Sequence, residues 1–223
     1  MTIRDKNEEA LQKVKANKLD EAAALYIAYT EEHPEDPIGY VNVGSVLFQS
    51  HQLEEAEKFF LEAIRINDET ATAYYGLGNL YYQQKMYEYA EKMFTKCLHL
   101  GLDDADVYFL LGMSYQMRDN HILAIPFLQT AAEKDKQPDY QLQYGLALAH
   151  EKYYEEAEEI FLNTVEQDST HADAFYNLGI LAFHERKLEK ARNYLNKAIS
   201  AQPSHTLAHQ ALEQTKRNIS EDE

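Results

Sequence analysis

The sequence YYGLGNLYYQQKMYEYAEKMFTKCL, which runs from Tyr74 to Leu98, decides the fold. Gly78 lies among apolar residues spaced three or four positions apart, and Ala90 lies in a second series of the same kind. That spacing is typical of a helix with one apolar face. A short polar segment separates the two series. The stretch therefore predicts two short helices joined by a turn.

The glycine and the alanine of this stretch recur along the chain. The glycines are Gly44, Gly78, Gly112, Gly145 and Gly179, at intervals of 34, 34, 33 and 34 residues. The alanines, at the same intervals, are Ala56, Ala90, Ala124, Ala157 and Ala191. A period of this length with two helices inside it indicates a helical repeat array. We expect the small residues where the two helices of a unit cross, since side-chain size sets the distance between packed helices.

The period divides the chain into a single array of six units and a final helix. The predicted units are residues 3–36, 37–70, 71–104, 105–137, 138–171 and 172–205, followed by a solvating cap helix at 206–219. The first unit is degenerate, because Ala10 stands at the glycine position and polar residues flank it. A polar outer face is what the end of an array requires. Residues 220–223 are predicted to be a frayed tail.

The fourth unit departs from the pattern in two ways. Pro126 falls inside its second helix, past the first turn where proline is tolerated, so a kink or a late helix start is expected. The unit is also one residue shorter than its neighbours. Counting between repeat positions places the deletion at or near the turn 135–138. It is either a tolerated surface deletion or a local irregularity of the array.

The composition favours a folded, acidic protein. Hydrophobic residues make up 45% of the 223 residues, and the formal net charge is -17. This charge disfavours nucleic acid and anionic membrane surfaces, because both bind proteins through lysine and arginine. It would attract a basic partner.

The location is predicted from what the sequence lacks. No apolar run approaches the ~18 residues of a membrane helix, and the N-terminal residues do not read as a signal peptide. The single cysteine, Cys97, cannot form an internal disulfide. We therefore expect a cytoplasmic protein without a membrane-spanning segment.

The units resemble the tetratricopeptide repeat family, in its soluble, bacterial type. The family pattern is W-x2-L-G-x2-Y, then A-x3-F, then P. The matching residues are Tyr74-x2-Leu77-Gly78-x2-Tyr81 with Ala90-x3-Phe94, and Phe175-x2-Leu178-Gly179 with Ala191-x3-Leu195 and Pro203. Tyrosine or phenylalanine stands in place of tryptophan. The resemblance covers about residues 3–219.

The resemblance implies an all-α fold, a right-handed superhelical solenoid of antiparallel helix pairs. It also implies that the first helix of each pair lines a concave groove that holds a peptide or a helix of another protein. On the first helices, the positions that would face this groove are Asn42, Phe48, Tyr75, Asn79, Tyr82, Phe109, Met113, Gln116, Met117, Leu146, His150, Tyr176, Asn177, Ile180, Phe183 and His184.

These groove positions are apolar and aromatic, with a few amides that could hydrogen-bond a peptide backbone from both sides. None is lysine or arginine, so the carboxylate clamp used by chaperone-tail binders of the family is disfavoured. The alternative is that neighbouring first helices pack on each other and cover this face.

Catalytic and metal chemistry is weaker in the sequence. His150 and His184 occupy equivalent positions in adjacent units, but without a third ligand in register we interpret them as polar groove lining. His205 and His209, four residues apart on the cap helix, are expected on its solvated face. Cys97 occupies a small buried position, so a packed thiol is expected rather than a nucleophile. We predict no catalytic site, metal or cofactor.

The function expected from these observations is a non-catalytic scaffold that binds a protein or peptide in the groove. Its partner would be a basic segment with apolar or aromatic anchors. The alternative is a structural module that forms homo-oligomers through the groove or the terminal helix. An all-helical enzyme and an RNA-binding protein are the less favoured classes.

Overall fold

The computed structural model describes residues 3–222, and within that range it contains thirteen α-helices and no strand. The helices are α1 (Ile3–Lys15), α2 (Leu19–Glu32), α3 (Pro37–Gln49), α4 (Leu53–Ile66), α5 (Ala71–Gln83), α6 (Tyr87–His99), α7 (Ala105–Gln116), α8 (His121–Lys134), α9 (Pro138–His150), α10 (Tyr154–Gln167), α11 (Ala172–His184), α12 (Leu188–Ala201) and α13 (Thr206–Asp222). The predicted all-α helical repeat is confirmed.

The helices form two compact units, one ending at Arg118 and the other beginning at Asp119. In the first unit, α1 packs with α2, α3 with α4 and α5 with α6, and α7 packs on α6. In the second unit, α8 packs on α9, α9 pairs with α10, α11 pairs with α12, and α13 packs on α12. Each helix therefore packs mainly on its neighbours in sequence, as a repeat array requires. The exact division into six repeats stays a prediction.

The turn that follows each first helix contains one residue with a left-handed backbone. These residues are Asn17, His51, Lys85, Asp119, Lys152 and Arg186, with φ between 56° and 66°. In the α3–α4 turn, the backbone N–H of Gln52 donates to the carbonyl of Leu47 at 2.9 Å, and that of His51 donates to Phe48 at 3.0 Å. This pair of bonds is a Schellman motif, which satisfies the last carbonyl groups of a helix and reverses the chain.

At four of the repeat glycines, a large side chain of the second helix fills the notch that the glycine makes: Gly44, Gly78, Gly145 and Gly179. A Cβ atom on Gly78 would lie 2.5 Å from Cε1 of Phe94, which is fully buried. Gly145 meets Phe161 in the same way, at 2.6 Å. The expected close crossing is therefore confirmed. The side chain that fills the notch at Gly78 is Phe94, which lies four residues after Ala90.

Gly76 has a role of its own in packing between helix pairs. A Cβ atom there would collide with the ring of Phe60, which belongs to the preceding pair. The two glycines of α5 therefore receive rings from both sides, because Gly78 accepts Phe94 from its own pair and Gly76 accepts Phe60.

The irregular fourth repeat is partly as expected. The helix α8 begins at His121 and contains Pro126 in its interior, so the expectation of a late start was wrong. The connection from α8 to α9 consists of residues 135–137, whereas the corresponding connections at 67–70 and 168–171 each have one residue more. The predicted position of the deletion is confirmed.

The C-terminal helix is longer than predicted. It continues to Asp222, and the hydroxyl of Ser220 donates to the carbonyl of Lys216 at 3.1 Å. The expected frayed tail is therefore helical through Asp222, and Glu223 lies outside the described residues. The buried side chains of α13 are Ala208, Leu212 and Thr215, which lie on one face against the preceding pair.

Candidate functional site

The predicted groove residues fall on two surfaces, one in each compact unit. In the first unit α5 lies against both α3 and α7, so its first helices are side by side. The first face, as we define it, lies on α3, α5 and α7 and on the residue that caps α7. It consists of Asn42, Phe48, Tyr75, Asn79, Tyr82, Phe109, Met113, Gln116 and Met117. The second face consists of Leu146, His150, Tyr176, Asn177, Ile180, Phe183 and His184 on α9 and α11.

Neither face contains a fully buried member. Met117, His150 and His184 are exposed, and every other member is half-buried. Val41 and Leu142, which share the register of Tyr75, are buried at 7% and 6% exposure. Packing between helices therefore covers part of this register, as the alternative interpretation expected, and leaves the sixteen predicted residues accessible. Whether they bind a partner stays a prediction.

Two aromatic members of the first face, both on α5, lie beside rings of α6. The ring of Tyr75 lies 6.2 Å from that of Phe94, and the ring of Tyr82 lies 5.4 Å from that of Tyr87. Burial raises the pKa of both Tyr75 and Tyr82. Their hydroxyl groups therefore stay neutral at physiological pH, and each ring presents a fixed apolar surface with a polar edge.

The asparagines on the two faces are less available than expected. The Nδ2 group of Asn79 donates to the backbone carbonyl of Tyr75 at 3.0 Å. In the same way, Asn177 donates to the carbonyl of Asp173 at 2.8 Å. Each amide is thus bound to its own helix one turn earlier. One of the two N–H donors of each amide is therefore used within the helix, while the second N–H and Oδ1 are not. Whether they bind a peptide stays a prediction.

A histidine precedes the last helix and caps it. His205 is 7% exposed, its Nδ1 accepts the backbone N–H of Ala208 at 3.1 Å, and its Nε2 lies 3.0 Å from Oδ1 of Asp173. Because Nδ1 accepts, Nε2 carries the proton and donates to the carboxylate. The prediction that His205 is solvated was therefore wrong, whereas His209 is exposed as predicted.

The same capping arrangement occurs one repeat earlier. Nδ1 of His171 accepts the N–H of Ala174 at 3.3 Å, and its Nε2 lies 3.5 Å from Oδ1 of Asp139. Each histidine therefore ties the start of one helix to the first turn of the preceding first helix. The sequence carried a signal for this that we missed. The two histidines lie 34 residues apart, and each stands directly before a helix. Each also follows its aspartate partner by 32 residues.

His150 on the second face pairs with a histidine that lies outside the predicted site. The ring of His150 stacks on that of His121, with centroids 3.5 Å apart, and His121 was absent from the predicted site. His184 instead contacts the ring of Phe183. The carboxylate of Asp119 lies 3.3 Å from Nε2 of His121. A third potential ligand therefore lies beside this histidine pair, in the turn before α8.

Cys97 is a packed thiol, as predicted. Its side chain is fully buried, and the sulfur lies 3.5 Å from the carbonyl of Ala71. Burial raises the pKa of the thiol to about 12. A thiol that is protonated and inaccessible does not act as a nucleophile.

Among residues 3–222, no helix combines the length and the apolar character needed to cross a membrane.

Comparison with known proteins identifies the repeat. Family models described as tetratricopeptide repeat match residues 35–102 and 146–206. The crystal structure of YrrB, described as a tetratricopeptide repeat protein with an unusual peptide-binding site, is 38% identical, covers 84% of this chain and 97% of its own, and superposes with a TM-score of 0.79. The chain belongs to the tetratricopeptide repeat family. Membership in this family supports a role as a protein-interaction scaffold.

Solved structures of lower identity share the fold alone. Pseudomonas aeruginosa pilF is 15% identical with a TM-score of 0.80, covering 95% of this chain and 97% of its own. MamA is 19% identical with a TM-score of 0.71, covering 76% of this chain and 93% of its own. No curated protein matches the sequence.

Proposed function

We propose that this tetratricopeptide repeat protein is a non-catalytic scaffold that binds a peptide or a helical segment of another protein on its first helices. The observation that carries the proposal is the exposure of the two faces. Aromatic and aliphatic side chains recur there in repeat register, and none of the predicted residues is buried. Accessible apolar patches of this kind commonly mark protein-binding sites. The peptide-binding site described for YrrB, at 38% identity, supports the same assignment.

The charge around the faces favours a basic partner. An aspartate stands six residues before the repeat glycine in α7, α9 and α11, at Asp106, Asp139 and Asp173. Asp106 and Asp104 are close enough to Tyr75 to add to the effect of burial in raising its pKa. The faces themselves contain no lysine or arginine. A segment with aromatic or aliphatic anchors and flanking lysine or arginine residues therefore fits both the apolar surface and the acidic first turns.

The binding surface can be tested by site-specific photo-crosslinking. A photoreactive phenylalanine analogue is placed at Phe109 or Tyr176, one on each face, in the full chain and irradiated with an extract of the source cell. Matched controls carry the analogue at Tyr89 or Leu162, exposed side chains on second helices. We expect one protein to crosslink from a face position and not from the control positions. Equal crosslinking from all four positions would remove the faces as the binding site.

The contribution of the aromatic side chains is tested with the crosslinked partner once it is known. We expect the combined variant Tyr75→Ala, Phe109→Ala and Tyr176→Ala to weaken binding by more than about 100-fold, since two or more aromatic anchors each contribute about 2 kcal/mol. The control variant replaces Leu61, Tyr89 and Leu162 on second helices by alanine. Far-UV circular dichroism establishes that both variants are folded. Unchanged affinity in the face variant contradicts the proposal.

Self-association through α13 is a second candidate. Leu207 in its first turn is 55% exposed, although it belongs to the apolar series of that helix. Light scattering across a concentration series separates the two functions. A molecular mass that stays at one chain excludes self-association, whereas a dimer that Leu207→Glu dissociates supports it.

A further inference from the structure

Three potential metal ligands meet at the start of the second unit. Asp119 lies in the turn before α8, His121 is the first residue of α8, and His150 is the last residue of α9. One ligand atom from each of the three lies within 4.8 Å of the other two. The imidazole rings stack at 22° with centroids 3.5 Å apart, and His121 Nε2 is 3.3 Å from Asp119 Oδ1.

The repeat geometry brings these three positions together, and equivalent sets of three positions occur elsewhere in the array. The set formed by Asp119, His121 and His150 differs from the others in its residues. The positions lie seven and nine residues after one repeat glycine and five after the next. In the α3–α4 copy, the first and third positions also meet, since Gln83 Nε2 lies 3.5 Å from His51 Nδ1. The other copies of the trio are His51, Leu53 and Gln83; Lys85, Tyr87 and Met117; and Lys152, Tyr154 and His184. None of these provides three ligands.

The hydrogen bonds leave a lone pair on Nε2 of His150 and do not fix the tautomer of His121. Nδ1 of His150 lies 3.1 Å from the carboxylate of Glu151, so it donates its proton there and Nε2 carries the lone pair. A carboxylate on the second nitrogen is the usual support for a metal-binding histidine. Nδ1 of His121 is buried, and no described residue hydrogen-bonds to it. Asp119 is 89% exposed, which leaves room for water as a further ligand.

We propose that Asp119, His121 and His150 bind a divalent transition-metal ion. Two imidazoles and one carboxylate suit Zn²⁺, Cu²⁺, Ni²⁺ or Co²⁺ better than Mg²⁺ or Ca²⁺, which prefer oxygen ligands throughout. The cation binds Nε2 of His121 in its other tautomer, in which the ring proton moves from Nε2 to Nδ1. Zn–N bonds are about 2.0–2.1 Å long, so one nitrogen of each ring must approach the same ion. We expect the rings to leave their stack by rotating about χ2, a torsion with a broad energy minimum.

The test is a titration of the full chain with zinc chloride by isothermal calorimetry. The variants carry residues that other repeats use at the same positions, so that the fold is kept. His121→Tyr copies Tyr87 and Tyr154, and His150→Gln copies Gln83. We expect one high-affinity zinc per chain in the wild type and at least about tenfold weaker binding in either variant, because loss of a ligand costs no less than loss of a supporting contact.

The matched control is His184→Gln, which removes an exposed histidine at the same repeat position as His150. Cobalt absorption spectra of the same variants report whether imidazole binds directly, since intense visible bands mark four- or five-coordinate Co²⁺. Zinc binding that His184→Gln leaves intact and His121→Tyr removes supports the proposal. Absence of a stoichiometric site in the wild type, or equal affinity in wild type and His121→Tyr, overturns it.

Discussion

Gly78→Ala tests whether the close crossing of α5 and α6 controls stability. The new methyl group would lie 2.5 Å from Cε1 of Phe94 and 2.8 Å from Cδ1. Ordinary carbon–carbon contacts are about 3.5–4.0 Å, so the ring must move by roughly 1 Å. Phe94 is fully buried and cannot rotate into solvent. The two helices must therefore separate, or the ring must leave its preferred rotamer.

Two opposing effects determine the size of the change. Overpacking a well-filled core costs about 1–3 kcal/mol. Alanine in a helix interior is more stable than glycine by about 0.5–1 kcal/mol. The free energy of unfolding should therefore fall by about 0.5–2 kcal/mol. In a chain of this length each kcal/mol corresponds to roughly 2–4 °C, which gives a decrease in Tm of roughly 1–8 °C.

Thermal unfolding followed by far-UV circular dichroism measures this change. The control is the same substitution in a Phe94→Leu background, which lacks the ring atoms nearest to the new methyl group. We expect Gly78→Ala to lower Tm less in that background than in the wild type. An increase in Tm on Gly78→Ala in the wild type, of the size that helix propensity alone predicts, would refute the reasoning, because it would mean that Phe94 moves aside at no cost.

Three further predictions concern the turns, the caps and the tyrosines. Lys85→Gly should raise the unfolding free energy by up to about 1 kcal/mol, because Lys85 has φ 61°, a conformation that costs an L-residue about 1–2 kcal/mol. The control Lys85→Ala keeps that cost. An equal Tm for the two variants contradicts the prediction. His205→Leu should lower the unfolding free energy by about 1–2 kcal/mol through loss of the cap on α13, whereas His209→Leu at an exposed site should change it little, as urea titrations will show. The contribution of neutral Tyr81 to stability should be fully present below about pH 10, the tyrosine pKa in unfolded chains, and be lost as the pH rises further. The reason is that burial and the Glu57 hydrogen bond raise the pKa of Tyr81 in the folded state. Tyr81→Phe should make the decline of the unfolding free energy with pH less steep in urea titrations, and an unchanged slope would contradict the assignment.

Much of the fold could be predicted because helix pairing here is a local property. The spacing of apolar residues within one short stretch is enough to predict a helix, and the glycine and alanine positions recur at a nearly constant interval along the chain. Even the deletion at 135–137 could be located by counting. Of the two effects expected from Pro126, the late start was wrong, because the helix contains the proline in its interior and on an exposed side, and the kink stays a prediction.

The candidate site was predictable in register and not in detail. Helix geometry placed Tyr75 and Val41 on equivalent positions, but only packing shows that Val41 is covered and Tyr75 is accessible. The amide of Asn79 could serve a partner or its own helix, and the choice of the Tyr75 carbonyl depends on a rotamer that the sequence does not specify.

The sequence by itself determined that the chain is a helical repeat and which side of each first helix is apolar, because both follow from the spacing of neighbouring residues. Only the tertiary structure decided which polar side chains meet. It places His150 against His121, and His205 against Asp173. These partners lie about one repeat apart along the chain, and their contact depends on how successive helices pack, which the spacing within a single helix does not encode.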